Sequence, residues 1–543
     1  MQGHFAKIWE AVADTVPTQP AVVQGARSIS WGDYEQRAAR LVAAFRAAGL
    51  GPHAKVGLYL YNSPEYCETN FAALKMGAVP VNVNYRYLDD ELAYLLDNAD
   101  AEVVVFHTSL ADRIARVAPA LPKLKLLVAV DDGPPTDGPV EVAGAVGYDD
   151  IQARHAPAAR IEPDGDEIYM LYTVGTTGMP KGVMYPLQEF TDFFIQGYPP
   201  MIGLEALGDA SAILGAVAAR AQAAAPPLVA MSAPPLMHGT GCWLGLMAPQ
   251  MMGGTAVLLE SRGLDADELW DTVARNRVQH LVIVGDAFAR PLLSALDVSA
   301  GRWDLSSLRL MISSGAMFST AVKQRLIAHL PELTIADLLG STEGGMGSSI
   351  MNRHTPVAET AHFALSPTTK VFTEDGREVA PGSDEIGLVA SGGLCPIGYY
   401  KDEEKSARTF RVIDGHRYSF PGDMARVAAD GTVELLGRGS NCINTGGEKV
   451  FPEEVEEAIK RHPAVEDALV FGVADERFGN RISAVASLRA GGHATPAEII
   501  GFVHHHLAGF KVPKSLCLVP CVPRAPNGKA DYPQARALFD ACA

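Results

Sequence analysis

The strongest constraint on the fold is an alternation of helix-like and strand-like segments between residues 30 and 130. Residues 34–48 have the apolar spacing of an amphipathic helix, and residues 55–61 form a short β-rich run. The same alternation returns later, with strand-like runs at residues 278–284 and 308–313. Strands that alternate with helices are typical of parallel sheets covered by helices. We therefore predict a large α/β N-terminal domain built of helix-covered sheets.

The pattern of predicted elements changes after residue 385. Short strand-like runs and turns such as Asp430-Gly431 replace the long helices there. This pattern predicts a small β-rich subdomain. Residues 452–462 then have the features of a helix that opens with proline and acidic residues, and a strand-like run follows them. We predict an N-terminal domain over residues 1–438 and a smaller α+β C-terminal domain over residues 439–543.

Charge and hydropathy exclude several classes of protein. The 543 residues include 63 acidic and 45 basic side chains, a net charge of -18, so nucleic acid is not expected as a partner. The longest apolar stretch, residues 210–237, is interrupted by Arg220, Pro226 and Pro227. A membrane-spanning helix needs about 20 apolar residues. We predict no membrane span.

The cysteines and the N-terminus indicate a cytoplasmic location. Seven cysteines in 543 residues are sparse, odd in number and without a framework of spacings, so we expect reduced thiols. The first 19 residues carry Glu10 and Asp14 and lack the apolar core of a signal peptide. His504, His505 and His506 with two nearby cysteines fit no zinc-finger spacing, and we predict no structural metal there.

A glycine- and threonine-rich segment, residues 173–182, follows a strand-like run and has the sequence Thr-Val-Gly-Thr-Thr-Gly-Met-Pro-Lys-Gly. Three glycines let backbone N–H groups converge on an anion, and threonine hydroxyls and one ammonium add further donors. The spacing differs from that of a Walker A loop. The segment predicts a phosphate-binding loop.

This segment resembles the signature of adenylate-forming enzymes, the superfamily of acyl-CoA synthetases, firefly-type luciferases and peptide-synthetase adenylation domains. Further blocks recur in the order of that family and extend the resemblance over nearly the whole chain. They are Pro235–Gly239, Ser313–Ala316, Leu339–Glu343, Tyr418–Asp423, Gly437-Arg438, Gly446–Val450 and Pro523–Lys529.

The resemblance implies a role for each matching residue. The ATP-binding residues would be Thr173, Gly175, Thr176, Thr177, Gly178 and Lys181 around the phosphates, and Ser314, Gly315, Ala316, Gly340, Ser341, Asp423 and Arg438 around the nucleoside. The catalytic residues would be Lys529, Thr342 and Glu343, with Glu343 also binding Mg²⁺. The coenzyme A path would include Gly446, Gly447, Glu448 and Lys449, and the acid would contact Met237, His238 and Gly239.

The chemistry required fits these residue types. A carboxylate must attack a negatively charged phosphorus, and a lysine such as Lys529 in a dry site offsets both charges in the transition state. For His238 we favour lining of the acyl pocket over a general-base role. By resemblance, the C-terminal domain is mobile and turns near Ser440 between adenylation and thioester formation.

Three residues depart from the family pattern. Val174 replaces a serine, Leu339 replaces an aromatic residue near adenine, and Ser440 replaces a charged hinge residue. The first two each remove a contact of about 0.5–1.5 kcal/mol with ATP.

We predict an ATP-dependent, AMP-forming acyl-CoA synthetase that uses Mg²⁺ and coenzyme A, and the family resemblance alone implies a homodimer. The segment 187–227, with Phe190, Phe193, Phe194 and Tyr198, is expected to border a roomy apolar acyl pocket. With blocks similar to steroid side-chain ligases, it favours a long-chain fatty acid or a bulky alicyclic acid. Two alternatives stay open: an adenylating enzyme that passes the acyl group to a carrier protein, and a non-catalytic nucleotide-binding protein.

Overall fold

The computed structural model describes residues 3–133, 140–173, 179–355, 359–445, 448–475 and 479–542. The first part of the chain alternates helices and strands as predicted, and side-chain caps such as Ser30 and Ser63 begin its helices. Its elements are α1 (Phe5–Thr15), β1 (Pro20–Gln24), β2 (Arg27–Ser30), α2 (Trp31–Ala47), β3 (Lys55–Tyr59), α3 (Pro64–Lys75), β4 (Val79–Asn82), α4 (Asp89–Asn98), β5 (Ala101–His107), α5 (Ala111–Val117), β6 (Leu126–Val130), β7 (Ala145–Gly147), α6 (Tyr148–Arg154) and β8 (Ile168–Thr173).

The middle of the chain supplies most of the large sheet and the helices that cover it. Its elements are β9 (Lys181–Pro186), α7 (Leu187–Met201), α8 (Ala210–Gln222), β10 (Val229–Ser232), α9 (Ala248–Met251), β11 (Thr255–Leu258), α10 (Ala266–Asn276), β12 (His280–Ile283), α11 (Gly285–Val298), β13 (Leu310–Ser314), α12 (Thr320–His329), β14 (Thr334–Ser341) and β15 (Gly344–Met351). A π-helical stretch, Thr240–Met247, precedes α9. Such stretches are frequent at functional sites.

The remaining elements form the β-rich subdomain and the C-terminal unit. The subdomain contains β16 (His362–Leu365), β17 (Thr369–Phe372), β18 (Gly387–Ser391), β19 (Gly398–Tyr399), α13 (Glu403–Thr409), β20 (Phe410–Ile413), β21 (His416–Ser419), β22 (Asp423–Val427) and β23 (Val433–Arg438). The C-terminal unit contains β24 (Ile443–Thr445), β25 (Glu448–Val450), α14 (Pro452–Lys460), β26 (Val465–Asp475), β27 (Gly479–Leu488), α15 (Pro496–His504), β28 (Ser515–Leu518) and α16 (Tyr532–Cys542).

The sheets confirm the predicted α/β architecture. One sheet is entirely parallel, in the order β4-β3-β5-β6-β7. The large sheet has a parallel run in the order β1-β11-β10-β12-β13-β14, and β15 then joins antiparallel and leads into the β-rich subdomain. Parallel strands are buried on both faces, and every residue of β12 is buried accordingly.

The C-terminal unit has its own apolar core. Val455 and Ile459 of α14 pack with Val470 of β26 and with Ile499 and Val503 of α15. The unit also contacts the rest of the chain near the predicted boundary, where the carboxylate of Glu453 lies against Gly437. Domain boundaries at residue 438 or 439 stay a prediction.

Two further details of the fold concern the cysteines and the alanine-rich segment. Cys517 of β28 and Cys542 of α16 lie next to each other, with their Cα atoms 6.2 Å apart. The alanine-rich segment is helical, as α8, and it packs against α1. Within the described residues, no helix combines the length and the apolar composition needed to cross a membrane.

A buried carboxyl group in the C-terminal unit makes its stability sensitive to pH. Burial and the neighbouring Glu453 raise the pKa of Glu456 far above its ordinary value, although Val470 N donates to Glu456 Oε1 at 2.9 Å. The folded protein therefore binds a proton that the unfolded chain releases above about pH 4, so stability falls as pH rises from there through neutrality.

We expect Glu456→Gln to be more stable than the wild type at about pH 8 and close to it at about pH 4, because the amide does not ionise and its oxygen still accepts the Val470 bond. Unfolding midpoints measured across this pH range test the prediction. Glu374→Gln, at an exposed carboxylate, is the control. An identical pH slope in Glu456→Gln and wild type would contradict it.

Candidate functional site

The carboxyl ends of four adjacent parallel strands, β10, β12, β13 and β14, meet at one edge of the large sheet. Ligands of open α/β sheets bind at this kind of edge. The predicted nucleoside residues lie here: Ser314 ends β13 and is followed by Gly315 and Ala316, and Gly340 and Ser341 end β14. Gly315 has a φ of +94°, a left-handed conformation that favours glycine.

Thr342 and Glu343 form the turn between β14 and β15, immediately beyond this edge. Three hydrogen bonds fix the turn. Glu343 N donates to Ser341 Oγ at 3.1 Å, Tyr185 Oη donates to the Thr342 carbonyl at 2.8 Å, and Tyr399 Oη donates to Glu343 Oε1 at 2.8 Å. The carboxylate of Glu343 is thus held at a defined place beside the strand ends.

The predicted phosphate-binding loop is bracketed by β8 and β9, which pair antiparallel with Thr173 opposite Lys181. Val174, Gly175, Thr176, Thr177 and Gly178 lie outside the described residues. Lys181 Nζ lies 3.5 Å from Asp402 Oδ2 and 5.6 Å from the centre of the Tyr399 ring. Burial and the positive charge of Lys405 lower the pKa of Lys181.

Asp423 and Arg438 are cross-strand neighbours on β22 and β23, with Asp423 Oδ1 3.4 Å from Arg438 Nε. Asp423 is buried, and within the described structure its Oδ2 atom has no hydrogen-bond partner. Burial and the negative charge of Glu343 raise the pKa of Asp423, although Arg438 and Lys529 act in the opposite direction. A buried oxygen without a donor is available to accept hydroxyl groups of a ligand.

Lys529 belongs to the C-terminal unit but lies beside these N-terminal residues. Its charge interacts with those of Arg438, Glu343 and Asp423, and it also acts on His238. Desolvation by the surrounding protein, followed by the charge of Arg438, lowers the pKa of Lys529. The Lys529 side chain is exposed in the described structure. Its ammonium is therefore accessible to a ligand that binds next to these residues.

His238 lies on the same side of the site. Met237 before it is buried, whereas His238 and Gly239 are half-buried. Burial and the nearby charge of Lys529 lower the pKa of His238 to about 3, so the imidazole is neutral near pH 7. A neutral ring suits the lining of an apolar pocket.

Sequence reasoning missed residues that hold the site together. Asn82, at the end of β4, donates from Nδ2 to the carbonyls of Tyr172 at 2.9 Å and Met237 at 2.7 Å, and it accepts from Tyr172 N at 2.6 Å. It therefore joins the strand before the phosphate-binding loop to the segment of His238. An asparagine ending a buried strand was the available signal; Tyr399, which contacts Glu343, has no comparable sequence pattern.

Aromatic side chains form a wall next to the His238 segment. Tyr169 stacks on Phe190 with ring centres 4.5 Å apart, and Trp243 Nε1 donates to Tyr169 Oη at 3.0 Å. Phe194 also contacts Trp243, while Phe193 is exposed. Of the aromatic residues predicted at the acyl pocket, Phe190 and Phe194 pack with Trp243, which was not predicted, whereas Tyr198 hydrogen-bonds to His280. We call Tyr169, Phe190, Phe194 and Trp243 the aromatic wall.

The predicted coenzyme A segment lies on a separate hairpin, whereas Leu339, which departs from the family pattern, directly precedes Gly340 in β14. Glu448 is exposed on the β24–β25 hairpin, which packs on β27, and Gly446 and Gly447 lie outside the described residues, as does the side chain of Lys449. Leu339 packs with Met346 and Phe363 in the core of the β-rich subdomain.

Glu343 has the chemistry expected of a Mg²⁺ ligand. Within the described residues, no group of three or more His, Cys, Asp or Glu side chains could hold a metal by itself. Mg²⁺ commonly binds through one or two carboxylates together with substrate phosphates, so the single carboxylate of Glu343 fits this ion.

Comparison with protein families places the chain among known enzymes. Residues 9–397 match the AMP-binding enzyme family, and residues 454–529 match the AMP-binding enzyme C-terminal domain. The chain is also similar over its full length to the medium/long-chain-fatty-acid–CoA/3-oxocholest-4-en-26-oate–CoA ligase of Mycobacterium marinum. The two are 41% identical over 546 residues, which cover 99% of this chain and 97% of the relative.

A second relative and a solved structure agree. The 3-oxocholest-4-en-26-oate–CoA ligase of Rhodococcus rhodochrous is 40% identical, over 97% of this chain and 94% of the relative. The crystal structure of a benzoate CoA ligase from Burkholderia xenovorans superposes with a TM-score of 0.81 over 99% of this chain and all of that one, at 22% identity. That likeness shows the shared fold.

We expect Asp423→Asn to raise the KM for ATP about 10-fold or more, because an uncharged amide accepts ribose hydroxyls less strongly than a carboxylate. In the wild type, KM should also rise toward acid pH as Asp423 takes up a proton, starting at a higher pH than for an ordinary carboxyl group because its pKa is raised. The variant should lack this rise. Initial rates at varied ATP and pH test both; Asp430→Asn, in an exposed turn, is the control. An unchanged KM would contradict the prediction.

Proposed function

This chain belongs to the AMP-binding enzyme family and is an acid–thiol ligase, and we propose that it joins a medium- or long-chain fatty acid, or the side-chain acid of a steroid, to coenzyme A. The reaction has two steps. The carboxylate first attacks the α-phosphorus of ATP and releases pyrophosphate. The thiol of coenzyme A then attacks the acyl carbon of the acyl adenylate and releases AMP.

The observation that carries this proposal is that the charge of Lys529, from the C-terminal unit, acts on Glu343, Asp423 and His238. Lys529 thus acts both on residues assigned to the nucleotide and on the segment assigned to the acid. Its ammonium would contact both the incoming carboxylate and the α-phosphate, and so offset the repulsion between two anions. Where ligands exclude part of the water, the ammonium stabilises these anions more strongly, because the local dielectric constant is lower and charges are screened less.

Other residues would bind and orient ATP. We assign the α-phosphate to Thr342, the ribose hydroxyls to Asp423, and the pyrophosphate to Thr173, Lys181 and the intervening loop. Glu343 would hold Mg²⁺ together with phosphate oxygens, and that ion would supply charge neutralisation of the leaving pyrophosphate. The hydrogen bond from Tyr399 keeps the Glu343 carboxylate oriented toward this role.

The second step requires a different arrangement of the C-terminal unit. In the present structure Lys529 faces the N-terminal residues, whereas Glu448 lies on an exposed hairpin. We infer that rotation of the unit near Ser440 withdraws Lys529 and brings the segment 446–449 to the entry path of coenzyme A. A cytoplasmic location, where ATP and coenzyme A are abundant, and a homodimer are parts of the proposal.

Replacing the lysine separates the two steps. We expect Lys529→Ala to slow formation of the acyl adenylate about 100-fold or more, since an electrostatic contact to the transition state is lost. Thioester formation from supplied acyl adenylate should stay within about 3-fold of the wild-type rate. Pyrophosphate release and thioester formation measure the two steps, and Lys514→Ala, an exposed lysine of the same unit, is the control. Equal losses in both steps would contradict the assignment.

The aromatic wall supports a large apolar acid as substrate. Trp243 is half-buried and borders Gly239, where an added Cβ would lie 3.2 Å from the indole. Apolar and aromatic walls with few polar groups are typical of pockets for large apolar ligands. The two relatives are named as ligases of medium- and long-chain fatty acids and of 3-oxocholest-4-en-26-oate, which belong to the same class of large apolar acids.

We expect Trp243→Leu to shift preference toward bulkier acids, with a change of about 10-fold in the ratio of kcat/KM for a steroid acid to that for a medium-chain fatty acid. The smaller side chain widens the pocket and removes contacts with the slimmer acid. Thioester formation with a panel of fatty, aromatic and steroid acids provides the ratio and identifies the substrate class. Trp303→Leu, near the protein surface, is the control, and an unchanged ratio would remove Trp243 from the acyl pocket.

A further inference from the structure

We propose that Arg524 is a positioning residue that holds the loop of Lys529 in the adenylation site. The inference rests on the proposed role of Lys529 and adds a second residue on which that role depends. Arg524 is five positions before Lys529, and its guanidinium ties the loop to the sheet of the C-terminal unit.

Arg524 and Asp467 form a bidentate ion pair. Arg524 Nε donates to Asp467 Oδ2 at 2.6 Å, and Nη2 donates to Asp467 Oδ1 at 2.7 Å. The two side chains are 18% and 17% exposed, so the pair is largely shielded from water. Paired parallel hydrogen bonds fix both distance and orientation, which a single bond from a lysine does not. Asp467 itself is anchored in β26.

The pair extends directly to the residue before the catalytic lysine. Arg524 Nη1 donates to the carbonyl of Gly528 at 3.3 Å. The loop is a tight hairpin in which Ala525 N donates to the Lys529 carbonyl at 2.8 Å, and Arg524 bridges to Ala530 as in an antiparallel ladder. Any movement of the guanidinium is therefore transmitted to the backbone of Lys529.

The hairpin borders a cavity of about 660 Å³. Arg524, Ala525, Pro526 and Gly528 line it, together with residues of α11 and of the N-terminal strands and loops. The hairpin also packs closely on α11, because a Cβ on Gly528 would lie 3.1 Å from Ala287 Cβ. The position of the hairpin therefore depends on this contact and on the hydrogen bonds of Arg524.

A second ion pair, between Arg290 and Asp286, lines the same cavity as the Arg524–Asp467 pair. Arg290 Nη2 lies 2.9 Å from Asp286 Oδ2 on α11, and both residues line the cavity with Asp467 and Arg524. The negative charges of Asp286 and Asp467 act on both arginines. The two pairs complement each other across the boundary between the units and favour the arrangement in which Lys529 faces the site.

Loss of the Arg524 hydrogen bonds should affect the adenylation step and not thioester formation. Lys529 acts in adenylation, and a displacement of about 1 Å of a catalytic group can slow a reaction about 100-fold. We expect Arg524→Gln to slow acyl adenylate formation about 10- to 100-fold through kcat, with KM for ATP changed less than about 3-fold. Thioester formation from supplied acyl adenylate should change less than about 3-fold, because Lys529 is not used there.

Conservative and partner variants distinguish positioning from folding. Arg524→Lys should recover part of the lost adenylation rate, since it restores the charge and one of the two bonds. Asp467→Asn changes the other member of the ion pair and should cause the same selective loss of the adenylation rate. Arg489→Gln, which removes an arginine paired with the adjacent Glu466, is the matched control and should leave both steps unchanged.

The outcomes separate this inference from the proposed function. If Lys529→Ala slows adenylation selectively but Arg524→Gln does not, the positioning role is wrong and the function stands. Equal losses in both steps for Arg524→Gln, accompanied by a lower unfolding midpoint, would show a structural role and also overturn the inference. If Lys529→Ala leaves adenylation intact, the proposed role of Lys529 fails first.

Discussion

The central physical constraint in this protein is the placement of a positive charge among groups that already carry charge and are partly removed from water. Desolvation and Arg438 disfavour the ammonium of Lys529, whereas Glu343 and Asp423 favour it. Removing a charge from water is costly, so an ammonium enters such a site where partners or a ligand compensate it. The balance explains why the lysine is carried on a separate unit: a charge that can be inserted and withdrawn need not be compensated throughout the cycle.

The fixed half of the site follows from strand topology. Parallel strands bring their carboxyl ends to one edge, so residues far apart in sequence, such as Ser314 and Ser341, become neighbours without any specific pairing between their side chains. Contacts from other layers then orient the turn beyond β14. Tyr185 and Tyr399 come from the β8–β9–β19 sheet and hold Thr342 and Glu343. The site is therefore assembled by the sheet and oriented by side chains from outside it.

The spacing of apolar residues along the sequence predicted the type and the approximate bounds of the helices and strands. The helix expected at residues 34–48 runs from Trp31 to Ala47, and the strand expected at 55–61 runs from Lys55 to Tyr59. Local periodicity carries this information because it reports which face is buried. It does not report strand order, so the insertion of β10 between β11 and β12 was not predictable. Asn82 and Tyr399 were missed for a related reason. Their partners lie 90 and 56 positions away, and only the fold brings them together.

Asp423 and Lys529 both have properties that a bound nucleotide would compensate. Asp423 has a raised pKa and an oxygen without a donor in the described structure, and Lys529 has a lowered pKa. Each shift is the one that burial imposes on an ionised group. Ribose hydroxyls would satisfy the first group and a phosphate the second, so nucleotide binding would relieve both costs together. Because one group belongs to each unit, we infer that this relief couples nucleotide binding to docking of the C-terminal unit: the nucleotide completes the interface on which the lysine depends.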